Sequence, residues 1–150
     1  MILTKTLVPV IQAAQYASGN CLGTVMSMTL FALPGSGAML VTVQGYDKAN
    51  QKAPFDVLLF SAAPAGTYAD KTAADISAAD AVKLVGRVTV NTGDYTTIAS
   101  SSEFTTVPGL VGLQGAGTTS LWVLLVIRGT ATYAGTSDIG VHLTFLRDEG

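Results

Sequence analysis

The sequence predicts an all-β protein, a β-sandwich of jelly-roll type with about eight strands, one short helix and an extended N-terminal arm. Three observations predict it. Apolar and polar residues alternate with period two along much of the chain, as in a strand with one face buried, because successive side chains leave a strand on opposite sides. Clusters of Gly, Asn, Asp and Pro interrupt these runs at 34–37, 47–54, 91–94, 114–120 and 129–137, and these residues accept positive φ or pre-set a turn. Helical signals are confined to one short stretch.

Residues 1–15 are expected to form an arm or an edge strand. Leu3, Leu7 and Ile11 could pair in a sheet. Pro9 has no amide to donate, which confines the segment to an edge or to an arm lying on a neighbouring subunit. Residues 16–150 read as one domain, without a fixed-period repeat or a composition shift that would mark a linker. Within 22–30, Leu22, Met26, Met28 and Leu30 share a face against Gly23, Ser27 and Thr29. Met39, Val41 and Val43 oppose Leu40, Thr42 and Gln44.

Two runs, 55–60 and 121–127, are apolar on both faces, with Trp122, Leu124 and Val126 opposing Val123, Leu125 and Ile127. Such strands are covered on both sides or give one face to a subunit interface. The scarcity of charge favours an interface for at least one of them.

The helix is expected near 77–85. Ser77 with Asp80 three residues on resembles a capping box, and Ala78, Ala79 and Ala81 favour helix. Gly86 stands where a C-terminal cap would, and Val82 and Val85 are expected to face the sheet. Val88 and Val90 then alternate with Arg87 and Thr89. The Ser/Thr-rich stretch 96–106 reads as loop. Last, Ile139, Val141, Leu143 and Phe145 alternate with Gly140, His142 and Thr144.

Composition excludes several functions. Eight Lys and Arg against ten Asp and Glu, in 150 residues, give a formal charge of −2; this is too little positive charge for a run of phosphates, so no nucleic-acid partner is expected. The longest apolar run, 121–127, ends at Arg128, far short of the roughly 18 residues of a membrane-spanning helix. No membrane partner is expected, and the first residues lack the apolar core of a signal peptide. Cys21 has no internal disulfide partner and reads as a small buried residue. Charged residues are only 12% of the chain, against roughly 25% in ordinary domains, which suggests a surface partly covered by other subunits.

The residues of common active sites do not assemble in the sequence. A nucleophilic triad needs a base, and the single histidine, His142, sits in a strand pattern with no Gly-x-Ser-x-Gly elbow in the chain. One His and one Cys cannot make a zinc site. The carboxylates Asp47, Asp56, Asp70, Asp75, Asp80, Asp94, Glu103, Asp138, Asp148 and Glu149 are scattered and form no calcium loop. Gly35-Ser36-Gly37 and Gly115-Ala116-Gly117 read as turns, because neither continues into a phosphate-loop motif. Neither catalysis nor a cofactor or metal is expected.

Several segments, in order and spacing, resemble a family of tailed-phage virion proteins. They are Tyr16-Ala17-Ser18-Gly19-Asn20-Cys21-Leu22-Gly23; residues 43–51 with the Asp47-Lys48 turn; Phe55-Asp56-Val57-Leu58-Leu59-Phe60; Asp75-Ile76-Ser77-Ala78-Ala79-Asp80 leading into Leu84-Val85-Gly86-Arg87-Val88; 119–130 around Leu121-Trp122; and Asp138-Ile139-Gly140-Val141-His142-Leu143. The family is that of capsid decoration proteins, also called cement or head auxiliary proteins. The resemblance spans about 16–148, and the family's Asp after Tyr-Ala-Ser-Gly is Asn20 here. It implies a small β-rich protein that is made in the host cytoplasm, binds the outer capsid surface and stabilises the shell by bridging capsomers. Its implied partners are the major capsid protein and further copies of itself, as a dimer or trimer.

On this reading the interface residues are Ile2, Leu3, Leu7, Val8, Pro9, Val10 and Ile11 of the arm, with Trp122 and Arg128. The domain is expected to stay folded without the residues before Gln12. An alternative is a carbohydrate- or receptor-binding module on the virion exterior or tail, using end loops at 129–137 with Tyr133 or at 91–95 with Tyr95.

Overall fold

A computed structural model of the chain describes residues 1–109 and 111–148; Glu149 lies outside them. In chain order the strands are β1 (Ile2–Leu7), β2 (Gln15–Tyr16), β3 (Met26–Thr29), β4 (Gly37–Asp47), β5 (Phe55–Phe60), β6 (Leu84–Val90), β7 (Tyr95–Ile98), β8 (Ser101–Thr106), β9 (Val111–Gln114), β10 (Ser120–Ile127), β11 (Ala131–Thr132) and β12 (Ile139–Arg147). One sheet runs β1-β12-β4-β8-β7, with β9 pairing the start of β4. A second runs β3-β10-β5-β6, and β2 and β11 form a small clip. Pairing is antiparallel throughout.

Eight of these strands form the framework: β1, β3, β4, β5, β6, β8, β10 and β12. The chain changes sheet at every connection between them except the one from β5 to β6. That strand order, two four-stranded antiparallel sheets wound together, is a jelly roll. The main core lies between the sheets, where Leu40, Val43, Phe104, Val141, Leu143 and Phe145 meet Val57, Leu59, Val88, Val90, Leu121, Val123 and Leu125. Each such side chain contributes about 1.5–3 kcal/mol by leaving water. The expected alternation holds in β12, whose residues 139, 141, 143 and 145 are all fully buried.

Of the two readings of residues 1–15, arm or edge strand, β1 is the edge strand. Its six residues pair one to one with β12, from Ile2 opposite Leu146 to Leu7 opposite Val141. Leu7 and Ile11 are core residues and Leu3 packs against the core. Pro9 comes after the strand has ended, so its missing amide removes no ladder bond; it packs on Gly23, which has no room for a Cβ there. Lys5, half-buried on the inward face of this edge strand, is the kind of inward charge that discourages further strand addition.

Four other expectations are corrected by local geometry. In β4 an extra residue, Val41, has no partner on β12. This bulge reverses the alternation, so Leu40 points inward before it and Val43 after it. The helix is a single turn, α1 (Ala78–Ala81), capped by Ser77, whose hydroxyl accepts the Asp80 amide at 3.2 Å. Gly86 lies inside β6 rather than at a cap, and Val82 is 84% exposed, because the chain has already turned toward β6. The stretch 96–106 forms most of the β7–β8 hairpin, with Ser102 and Phe104 turned inward; Ser and Thr had masked the alternation.

The fourth correction concerns the strands that are apolar on both faces. The outer face of β10 and β5 is covered by the chain itself. Residues 61–77 fold back over it, and Tyr68 joins Leu58, Phe60, Leu124, Val126 and Cys21 in a second apolar cluster flanked by Val25, Ala74, Ile76 and Trp122. Backbone bonds from Cys21 to Thr72, from Lys71 to Cys21 and from Ala74 to Gly19 lash the cover down.

Candidate functional site

The residues expected at the interface are not brought together. Ile2 is exposed where the chain begins, Val8 and Val10 are exposed beyond the other end of β1, and Leu7, Pro9 and Ile11 are buried. Trp122 is half-buried under the cover. Arg128 is partly exposed and its Nε donates to Asp56 Oδ2 at 2.6 Å, so it serves an internal ion pair. Tyr133 and Tyr95, expected to furnish a ligand site on end loops, are both buried.

The aspartates are largely occupied with holding loops. Asp47 accepts the amides of Ala49, Gln51 and Lys52. Asp70 accepts the Tyr16 hydroxyl and the Gly23 amide. Asp94 caps its own turn through the Asn91 amide, and Asp138 accepts from Ala134 and Gly135. Asp56 accepts the Thr89 hydroxyl besides Arg128.

Asp80, which has no exposed surface, binds the Tyr68 hydroxyl at 2.6 Å, the amides of Ala65 and Gly66, and the Lys83 ammonium. The Tyr68 bond and then the two amides hold its carboxyl far below the usual range. Burial pushes Asp47 the other way, upward, against the pull of its three amides.

Two surfaces remain unoccupied among the described residues. The first is one end of the sandwich. Strand directions place the starts of β1, β4, β6 and β10 and the ends of β3, β5, β8 and β12 together there. Among the described residues eleven large apolar side chains are exposed, and eight of them belong to this end: Met1, Ile2, Leu33, Val82, Leu84, Val85, Val107 and Leu146. The connections 30–36 and 107–119 contribute no charged residue.

The second is the outer face of β1, β12, β4 and β8, where a shallow open cleft of about 200 Å³ is lined by Gln44, Gly45, Tyr46, Glu103, Phe104, Thr105 and His142. Two glycines shape it. Tyr46 lies flat across Gly140, its partner on β12, in the space a Cβ would fill. On the other side of the sheet Phe104 fills the same space over Gly45. His142 tilts against Tyr46 with centroids 6.2 Å apart, and its Nδ1 shares a 2.9 Å hydrogen bond with Thr6 Oγ1. Lys48 rises over the Tyr46 ring, 5.7 Å from its centroid. Alternation had placed Gln44 and His142 on outward faces. It missed Glu103 and Thr105, because their strand was read as loop, and Tyr46, whose signal was the glycine inside the β12 pattern.

Fold and surfaces together define a jelly-roll domain whose polar groups mostly serve its own loops. No family model matches the chain, and no curated protein does. Among solved structures, the VP2 subviral particle of infectious bursal disease virus aligns with a TM-score of 0.45 and 13% identity over 100% of this chain, which spans only 33% of that one. Tomato aspermy virus aligns with a TM-score of 0.41 and 8% identity over 97% of this chain and 75% of that one. The jelly-roll assignment rests on the strand order, to which likenesses at this level add nothing.

Proposed function

We propose that the chain is a virion structural protein, a cement protein that docks on the outside of a capsid and bridges capsomers, with neither catalysis nor a cofactor. The observation that carries this reading is the gathering of exposed apolar side chains at one end of the sandwich, beside two connections without a charged residue, since patches of this kind mark protein contacts. The resemblance of several sequence segments to decoration proteins is a second, separate support. The partners are the major capsid protein and further copies of the chain, as a dimer or trimer, rather than nucleic acid or membrane.

A contact of standard size buries about 800 Å² per partner. Many copies on one lattice hold together even when each site is modest in affinity. The contact surface differs from the one the sequence suggested: Ile2 belongs to it, Val8 and Val10 follow the far end of β1, and Trp122, in register with Phe60 and Leu84 at this end, is half-buried against the second cluster.

The test is co-sedimentation with undecorated shells of the phage that encodes the chain. The wild-type protein should pellet with the shells, and a Leu33→Asp/Val107→Asp double variant, placed in connections outside the core, should stay in the supernatant while melting at the wild-type temperature. A wild-type chain that leaves every shell bare, or a charged variant that binds equally well, overturns the reading.

A further inference from the structure

We propose that the open sheet face is a binding site for a neutral sugar ring, stacked on Tyr46 and held by hydrogen bonds to Gln44, Glu103, Thr105 and His142. This goes beyond the docking function and uses a different surface. The contrast with the aspartates motivates it. While Asp47, Asp56, Asp70, Asp80, Asp94 and Asp138 are all engaged within the fold, the side chains of Gln44, Glu103 and Thr105 have no hydrogen-bond partner among the described residues. His142 uses only Nδ1, toward Thr6. Register sets these groups side by side: His142 opposite Gln44, Gln44 opposite Thr105, and Tyr46 opposite Glu103.

The chemistry of the cleft narrows its occupant. It offers an anionic acceptor, an amide that both donates and accepts, a hydroxyl, an imidazole nitrogen and a half-buried aromatic ring. A ligand that satisfies all of these carries several hydroxyls around an apolar ring face. An anion would meet the Glu103 carboxylate. Lys48 lies over the Tyr46 ring, 5.7 Å from its centroid, but it is an exposed, flexible side chain that swings aside when the sugar stacks. An added peptide strand would find no free backbone, because β4 and β12 are paired on both sides. An apolar partner would strand the polar groups at a cost of about 1–3 kcal/mol each. The volume, about 200 Å³, is below the roughly 300–1,000 Å³ of drug-sized pockets and suits a single sugar ring at the end or along the edge of a glycan.

The experiment is an NMR titration of the ¹⁵N-labelled full chain with the methyl glycosides of glucose, galactose, mannose and N-acetylglucosamine, with sialic acid as the anionic comparison. At least one neutral glycoside should shift amides of β4, β8 and β12 around residues 44–46, 103–105 and 142, saturably. Glu103→Gln, exposed and outside the core, should weaken that binding about tenfold, and Tyr46→Ala should abolish it. No saturable shift with any neutral glycoside, shifts on another surface, or preferential binding of sialic acid overturns the proposal. The readout is independent of capsid docking: a Leu33→Asp/Val107→Asp variant that has lost shell binding should keep the glycoside shifts, so either idea can fail alone.

Discussion

The two sheets of this sandwich treat their outer faces in opposite ways. Over β10 and β5 the chain lays its own residues 61–77, so those strands are buried on both sides and carry apolar residues on both faces. Over β12 and β4 none of the described residues forms a cover, so those strands alternate, and Thr4, Thr6, Thr144, His142, Gln44 and Tyr46 form a partly hydrogen-bonded polar surface. The difference teaches that a doubly apolar strand in a charge-poor chain does not by itself announce a subunit interface. A long connection can supply the cover. The face left open is where recognition chemistry remains available.

The sharpest way to break the contrast is to remove β1, the edge of the open sheet. A chain beginning at Gln12 loses Leu7 and Ile11 from the core along with the strand pairing to β12. Large core side chains cost about 2–5 kcal/mol each when truncated, comparable in sum to the whole stability of a domain, about 5–15 kcal/mol. The truncated protein should be unfolded by circular dichroism at 25 °C. A cooperative melt near the wild-type temperature would restore the arm.

Next comes the cover. Tyr68→Ala removes a ring from the outer cluster and the hydroxyl that binds Asp80, and should destabilise the fold by about 3–5 kcal/mol in denaturant melts. It should also open 61–77 to limited proteolysis. A loss below 1 kcal/mol would mean that the cover is dispensable and that the β10–β5 face could serve as an interface after all.

These two regions also divide what the sequence made legible. Alternation exposed β12 and the paired valines of β6, and turn clusters marked most strand ends, because local sterics and one-sided burial act within a few residues. The failures came where distant residues decide. Nothing near Leu124 shows that Tyr68 will cover it, and nothing near Val41 shows that β12 will skip it. Pro9 looked like an obstacle to pairing because sequence alone could not place it two residues beyond the strand. The candidate cleft was half visible: Gln44 and His142 fell on outward faces, whereas Glu103 needed the β8 pairing to find its place opposite Tyr46.

Acid titration sharpens the comparison at Asp47 and Asp80, two carboxylates without exposed surface. Asp80 of α1 anchors the cover through Tyr68, Ala65 and Gly66, and its carboxyl is held far below the usual range. Its contribution to stability is therefore fully present above the unfolded value, near pH 4, and fades as pH falls below that toward the folded value. Asp47 ends β4 and its carboxyl is raised by burial, so its contribution is fully present below about pH 4 and is lost as pH rises through the raised value. The melting-temperature gap between wild type and Asp80→Asn should widen from pH 2 to pH 5. The gap for Asp47→Asn should narrow as pH rises from 4. Parallel slopes for the two variants would show that the two carboxyls are not perturbed in opposite directions.

The smallest effect is expected at Gly140, and it separates the integrity of the sheet from the shape of its open face. A Cβ at Gly45 would run into the backbone oxygen of Gly140, which the ladder holds fixed. The atoms nearest a Cβ at Gly140 all belong to the far edge of the Tyr46 ring, and a half-exposed side chain can swing away. Gly140→Ala should therefore cost less than about 1 kcal/mol, the scale of one cross-strand pair, while displacing Tyr46 from its seat and altering the amide shifts of residues 44–46 and 103–105. If the variant instead loses several kcal/mol, Tyr46 is locked by the fold and serves packing, and the ring has no freedom to receive a ligand. A small loss with displaced shifts would mean that the glycine is there to hold an aromatic surface flat, which strand pairing alone does not require.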